Sequence, residues 1–456
     1  MTAAKIFRFK GGFHPEDHKE LSANQEVKTL PLLSRYTVLL RQNVGAPPEV
    51  CVTKGDHVKK GSCIARPTSF VSVPLHSPVT GTVWDLLSVP GPNGSPVEAV
   101  EILSDGEDVQ EWDDSLEPIL DWRDTPANIL KKRILDAGIT GMGGAAFPTH
   151  VKLSPPPEKP VDTLILNGAE CEPYLTSDDV LMRSHARAIL TGAAIAAKVL
   201  GVTEIFVGIE DNKKEAFTAM EQAAWGISSA NVTVVSLPVK YPQGGEKQLI
   251  YALTGRKVIV GALPMDVGCA VLNVGSCYAI WDAVLNGHPL VERITTVTGT
   301  PVVHPGNYRI LMGTPLSAAL EGAGGIREDS DVGKIIFGGP MMGFAQYSLE
   351  VPVSKNTSGI LLLERSEVAQ FYGGPCLSCG RCVEHCPMQL PVSTLSKACE
   401  SERYDLAKEN HVLACLECGV CSSVCPARRP NVQHFRKAKA ELKELLQKEK
   451  NKKVGK

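Results

Sequence analysis

Between about residues 126 and 285, apolar runs of two lengths alternate along the chain. Ala127–Ala137, Asp178–Leu200, Lys213–Ala224, Gly244–Leu253 and Cys277–Leu285 carry apolar positions at helical spacing. Between them, Thr163–Leu166, Glu204–Ile209, Val232–Leu237 and Cys269–Val274 are short continuous apolar stretches that predict buried strands. This alternation predicts an α/β sheet with helices on its faces.

The pattern differs on either side. Residues 1–34 show no clear period, and from 35 to 105 short β-like runs sit between Gly and Pro turns. Two half-motifs stand out there: Val52-Thr53-Lys54-Gly55-Asp56-His57-Val58-Lys59-Lys60-Gly61, and His76-Ser77-Pro78-Val79-Thr80-Gly81-Thr82-Val83. They resemble the two interlocked halves of the biotinyl/lipoyl carrier fold. That fold modifies a Lys at the hairpin tip between the halves, and the tip here, Ser69–Pro74, has none. A structural or docking module is therefore expected rather than a swinging arm. Residues 106–125 are acidic and predict a linker; 286–350 are β-rich with one short helix at Leu316–Glu321; 366–437 are rich in cysteine; 438–456 predict a Lys-rich helical tail. The expected fold class is multidomain α/β: a lipoyl-like β-sandwich, an α/β domain over 126–285, a β domain over 286–350 and an α-helical C-terminal domain.

Composition narrows the function. A net charge of -3 over 456 residues argues against a nucleic-acid binder. No signal peptide is read at the N-terminus, and no apolar run is long enough to span a bilayer, so attachment to a membrane would go through a partner. Of 14 cysteines, eight fall in two runs. The first is Cys376-x-x-Cys379-x-x-Cys382-x-x-x-Cys386-Pro387; the second is Cys415-x-x-Cys418-x-x-Cys421-x-x-x-Cys425-Pro426. This is the bacterial two-cluster ferredoxin spacing, in which the fourth Cys of each run ligates the other cluster. One [4Fe-4S] cluster is expected on Cys376, Cys379, Cys382 and Cys425, the other on Cys415, Cys418, Cys421 and Cys386. Zinc ribbons also use C-x-x-C knuckles, but zinc has no use for the third step or the Cys-Pro ending. Iron–sulfur ligands must stay reduced, so a reducing compartment is expected.

A glycine loop, Gly138–His150, gives the second signal. Gly141-x-Gly143-x-x-Ala146 looks like a dinucleotide fingerprint, yet a helix precedes it and Pro148 follows. Glycines exposing backbone N–H groups suit a phosphate or a flat ring against the main chain, with Lys152 nearby. A plain tight turn is the alternative. Asn167–Tyr174, Tyr241–Lys247 and Asn273–Ser276 are polar strand exits, where α/β sheets hold ligands. Ser177–Asp179 alone is explained as a helix start.

These motifs, in this order, resemble the RnfC (RsxC) family of the Rnf electron-transport complex. The likeness runs from Phe9–Pro15 to Cys425-Pro426, and its specific blocks are 143–152, 167–176, 241–249 and the two cysteine runs. The resemblance implies a flavin- and NADH-binding domain like that of the NADH-oxidising subunit of respiratory complex I, and a β-grasp domain that binds soluble ligands (SLBB-like) over 286–350. By likeness, FMN contacts carry over to Gly141, Gly143, Gly144, Lys152, Asn167, Glu170, Tyr241, Asn273 and Ser276, and NADH contacts to Glu172, Glu246 and Lys247. Ala146 stands where family members usually have Gly. The implied function is electron input: NADH gives two electrons to FMN, which passes them singly to the two clusters. The implied partners are an iron–sulfur B subunit, membrane subunits A, D, E and G, and, indirectly, ferredoxin, at the cytoplasmic face of the bacterial membrane, with NAD/ferredoxin redox coupled to Na⁺ or H⁺ transport. Cobalamin reductases of bacterial microcompartments share the glycine loop and cysteine runs, but begin near the loop. An electron-transfer scaffold without NADH activity is the other alternative.

Overall fold

Four parallel strands form the centre of the 126–285 region, in the order Asn231–Leu237, Glu204–Glu210, Thr163–Gly168, Cys269–Asn273. The computed structural model describes residues 6–371 and 374–454, so the last two residues of the expected tail lie outside the described residues. Thr163–Gly168 and Cys269–Asn273 are apolar nearly throughout because helices cover both faces of the sheet. On one face, Ser177–Leu200 packs against Val274–Leu285 in a core that includes Ile189, Ala193, Cys277 and Ile280. The two helices approach closely at Gly192, where a Cβ would fall 1.8 Å from the Cys277 carbonyl oxygen. Glu246–Thr254 covers the other face through Leu249 and Leu253. The chain enters this sheet at Thr163, winds outward, then returns to the opposite side at Cys269. The order therefore reverses between Thr163–Gly168 and Cys269–Asn273, and the C-terminal end of that pair is a topological switch point.

Residues 35–104 form two antiparallel sheets. One runs Arg35–Leu39, Pro96–Ser104, Gly81–Pro90, His57–Val58; the other runs Glu49–Val50, Cys63–Arg66, Leu75–His76. They enclose a core of Val38, Ile64, Leu75, Val83 and Ile102.

The third β unit is a mixed six-stranded sheet with the helix Leu316–Gly322. Here the structure differs from the sequence expectation in two places. Gly359–Glu364, beyond the expected boundary at 350, lies inside this sheet between Glu292–Thr298 and Val332–Phe337. Lys28–Thr29, in the segment expected to be irregular, adds an edge strand parallel to Gly306–Leu311. The acidic linker is also packed: Trp112 stacks on His288 at 3.9 Å, and Trp122 is buried.

The cysteine-rich region is helical (Arg381–Glu384, Val392–Glu400, Tyr404–Glu409, Val420–Ser423) and is backed by Asn431–Val454. That last helix runs straight through the expected boundary at 437, since Phe435, Ala438 and Leu442 all enter one core with Leu395 and Val412. No helix among the described residues is long and apolar enough to cross a membrane.

Candidate functional site

The glycine loop stands over the switch point. It leaves the helix Ala127–Asp136, closes on itself through a bond from Gly141 N–H to the Phe147 carbonyl (2.8 Å), and runs into the short helix Thr149–Lys152. Ser276 staples it from beneath: its hydroxyl accepts from Met142 N–H (2.9 Å) and donates to the Thr140 carbonyl (3.1 Å). Past that staple, the N–H groups of Gly143, Gly144 and Ala145 have no protein acceptor among the described residues. Gly144 sits at φ +109° with open space where a side chain would project, and a Cβ on Gly143 would point toward Asn273 at 3.5 Å. Three successive free donors on a face kept clear of side chains make a cradle for an anionic or flat ligand.

The strand exits form the floor. Asn167 and Asn273 are register partners on adjacent strands. Asn167 Nδ2 donates to the Gly244 carbonyl (2.8 Å) and its Oδ1 accepts from Ala169 N–H (3.2 Å). Asn273 caps the helix Val274–Leu285 by accepting from Gly275 N–H, and donates to Asp178 at 2.6 Å. Burial, with Glu170 close by, pushes the Asp178 carboxyl up to about 7. Glu170 closes the start of the helix Ser177–Leu200 by accepting from Asp178 and Asp179 N–H. The helix start expected to cap itself is thus capped from the preceding loop. Lys152 Nζ donates to Glu246 (2.9 Å) and to the Val271 carbonyl (3.0 Å). Gln243, nearly fully buried beside Gly244, has its amide donor, Nε2, without a partner among the described residues. A cavity of about 610 Å³ meets the loop at Met142 and Gly275 and is lined also by Asp178, Tyr278 and Arg293.

Glu172 lies on the side toward the cysteine domain. Its carboxylate accepts from Met341 N–H (3.1 Å), Met342 N–H (3.0 Å) and Tyr241 hydroxyl (3.4 Å). Burial outweighs these donors and pushes its carboxyl up to about 7. Tyr241 in turn packs in one apolar cluster with Cys418, Val420, Phe13 and Met341.

The eight cysteines line two cavities. One, of about 350 Å³, has Cys386, Cys415, Cys418 and Cys421 in its wall, with Met388. The other, of about 400 Å³, has Cys376, Cys379, Cys382 and Cys425, with Arg429. Two spaces each lined by four thiols suit two cubane clusters. The first cavity is the one beside the flavin-type domain: Gln248 Nε2 donates to Met388 Sδ at 3.5 Å, and Gly419 and Ser423 adjoin Met341.

Three family models match the chain in order: an RnfC barrel sandwich hybrid domain over residues 7–107, a Nuo51 FMN-binding domain over 134–282, and an SLBB domain over 294–345. The RnfC-type component of a proton-translocating ferredoxin:NAD(+) oxidoreductase complex from Clostridium ljungdahlii is 45% identical over 405 residues, 89% of this chain and 87% of that protein. The chain belongs to the RnfC family. A second RnfC-family relative, from a Na(+)-translocating ferredoxin:NAD(+) oxidoreductase complex of Acetobacterium woodii, is 42% identical over 95% of this chain and 97% of its own length. Among solved structures, a chain of an NAD+-reducing [NiFe]-hydrogenase in the H2-reduced state aligns over 70% of this chain and 66% of its own, at 21% identity and TM-score 0.49.

Within this RnfC-family fold, Gly141, Gly143, Gly144, Asn167, Glu170, Asn273 and Ser276 gather at the switch point, with Lys152 and Glu246 paired at its edge. Tyr241 and Glu172 stand between that point and the Cys418 cavity. Lys247 turns away and donates to the Ile259 carbonyl at 2.9 Å. Sequence inspection missed Lys19, whose buried ammonium donates to the carbonyls of Glu170 (3.0 Å), Glu172 (2.9 Å) and Leu175 (2.5 Å), fixing the Asn167–Thr176 loop from a distant part of the chain. It also missed Arg293, Lys355 and His150, which contact the glycine loop or its flank. No local period marks such residues; an unexplained cation in an apolar stretch was their one signal.

Proposed function

We propose that this chain is the NAD(H)-reacting, electron-input subunit of an ion-translocating ferredoxin:NAD oxidoreductase complex of the Rnf type. The observation that carries the assignment is the cradle itself: three unpartnered N–H groups over a switch point, in the same chain as two four-cysteine cavities. The donor set suits FMN, with its phosphate and ring edges facing the Gly143–Ala145 amides, Asn167 and Asn273. When bound, FMN supplies two-electron exchange with nicotinamide and single-electron exchange with iron–sulfur clusters.

The chain's own residues do the rest. Ser276 and the Gly141–Phe147 bond hold the loop rigid, so the cradle needs no ordering when it is filled. Lys19 and Glu170 fix the loop that carries Glu172. We assign Glu172, Glu246 and Lys247 to the nicotinamide nucleotide, with Lys247 reaching it only by leaving the Ile259 carbonyl. Cys415, Cys418, Cys421 and Cys386 hold the cluster nearer the flavin, and Cys376, Cys379, Cys382 and Cys425 hold the one farther out. The outer position suits transfer onward, since Cys379 is exposed and Leu377 beside it is 64% exposed.

The partners are the other subunits of such a complex: an iron–sulfur B subunit as acceptor and membrane subunits A, D, E and G, with the chain held peripherally at the cytoplasmic face. Adding NADH anaerobically to the purified, cofactor-loaded chain tests the assignment. Flavin bleaching followed by cluster reduction is expected; a chain that holds iron yet takes no FMN and ignores NADH would leave an electron-transfer scaffold instead.

A further inference from the structure

The barrel-sandwich domain has no role in redox chemistry, and its tip lacks the Lys that carrier domains modify. The structure gives that tip a different position. Phe70, at the tip, lies edge-on to His150 with ring centroids 5.6 Å apart, and its carbonyl accepts from His150 Nε2 at 2.8 Å. Because Nε2 donates, His150 is the Nε2–H tautomer, and its buried Nδ1 has no partner among the described residues. Val44, in the neighbouring loop of the same domain, donates its N–H to the Ala146 carbonyl (3.1 Å). Lys355, buried at 1% exposure, donates from Nζ to the Gly138 carbonyl (2.7 Å) and to the Pro74 carbonyl at the tip (3.1 Å), joining the two domains through one side chain. Among the described residues no carboxylate pairs with it, and burial lowers its pKa to about 7, where a neutral amine still has two N–H bonds for two carbonyls. Asn356 donates to the Gly144 carbonyl (3.4 Å). Arg293 reaches the Met142 carbonyl (3.4 Å) and the Lys355 carbonyl (2.7 Å).

Donors from outside the flavin-type sheet therefore hold the carbonyls of Gly138, Met142, Gly144 and Ala146. In a trans peptide the carbonyl and the next N–H point in opposite directions. Holding the Met142 and Gly144 carbonyls against the brace turns the Gly143 and Ala145 N–H groups toward the open face.

We propose that the barrel-sandwich domain, with Lys355 and Asn356, is a fixed brace that sets the peptide orientation of the glycine loop and so its affinity for FMN. Lys355, Asn356 and the Phe70 tip are positioning elements; this rests on the assignment of FMN to that loop. The test uses the full chain, stripped of flavin and titrated with FMN. Two variants are compared with the parent: Lys355→Met, and the surface double variant Phe70→Ala/Asn356→Ala, which is expected to fold whether or not the buried one does. A rise in FMN Kd of about tenfold or more for Lys355→Met, and of several-fold for the double variant, is expected. Iron content should be unchanged, and the visible circular dichroism of the bound flavin altered. A role in overall stability alone would lower the melting temperature and leave affinity and flavin dichroism as in the parent. Parent-like FMN binding by a folded double variant overturns the brace while the flavin assignment stands. A parent that takes no FMN overturns the flavin assignment and the brace with it.

Discussion

Asn167 and Asn273 face each other in register across the point where the strand order reverses, and each spends its side chain on a backbone group of a different loop. Asn167 ties the Gly244 turn, and Asn273 opens the helix whose Ser276 staples the glycine loop. The two side chains thus join three of the strand exits into one floor. Replacing Asn273 with Ala should cost about 1 kcal/mol from the lost cap. It should also free Asp178 from its 2.6 Å donor, and FMN affinity should fall more than stability does. Urea denaturation and FMN titration on the same preparation check this.

Gly143→Ala separates ligand space from backbone strain. Gly143 is not among the glycines at positive φ, and its Cβ would make only ordinary contacts with Asn273, at 3.5 Å and beyond. The apo chain should therefore lose little stability, while FMN binding weakens by about tenfold because the methyl occupies the open face. Gly144→Ala, at φ +109°, should lose stability as well. Equal FMN binding by parent and Gly143→Ala would place the ligand elsewhere.

The crossed cysteine assignment makes Cys386→Ala and Cys425→Ala opposite experiments. Cys386 shares its cavity with Cys415, Cys418 and Cys421, and Cys425 shares the other with Cys376, Cys379 and Cys382. Each variant should lose about one cluster's worth of iron. In Cys386→Ala the loss should fall on the cluster beside Tyr241, slowing its reduction by NADH; in Cys425→Ala that inner cluster should still be reduced. Electron paramagnetic resonance of the NADH-reduced variants distinguishes the two.

Glu172 carries a pH signature. Its carboxyl is raised from its ordinary value to about 7 by burial. Between those values the folded chain keeps a proton that the unfolded chain has released, so stability falls as pH rises through that window and levels off above it. Asp178 is raised to a similar value and adds to the same slope. Glu172→Gln should therefore flatten the dependence without removing it, seen as a smaller drop in urea midpoint between about pH 4.5 and about pH 7.

Lys19 should prove costly to remove. Lys19→Met leaves three buried carbonyls without their donor, for a loss of about 2–4 kcal/mol. Chemical denaturation of the parent and variant, both loaded with clusters, measures it.

What was legible in the sequence was what is local. The strands and helices from Ala127 to Leu285 follow from apolar spacing, and only their ends moved by a few residues. The cysteine runs and the glycine loop are contiguous, so their chemistry could be read directly. What stayed hidden is long-range. Gly359–Glu364 looks like a strand only once Glu292–Thr298 and Val332–Phe337 flank it. Lys28–Thr29 is too short to show a period, and it is a strand because Tyr308 and Arg309 pair with it. Lys19 and Lys355 reach partners far away along the chain, at separations where composition carries no signal. The Ser177–Asp179 start shows the same thing in small: its cap is real, but Glu170 provides it.

The central claim is that one chain holds a flavin cradle wired to two clusters. Anaerobic titration of the purified, reconstituted chain with NADH, with iron and FMN counted beforehand, tests it most directly. The account predicts about one FMN and about eight iron atoms per chain, with flavin absorbance bleached by NADH and cluster signals appearing as it does. Full iron with no FMN, or bound FMN that NADH leaves oxidised, would contradict it.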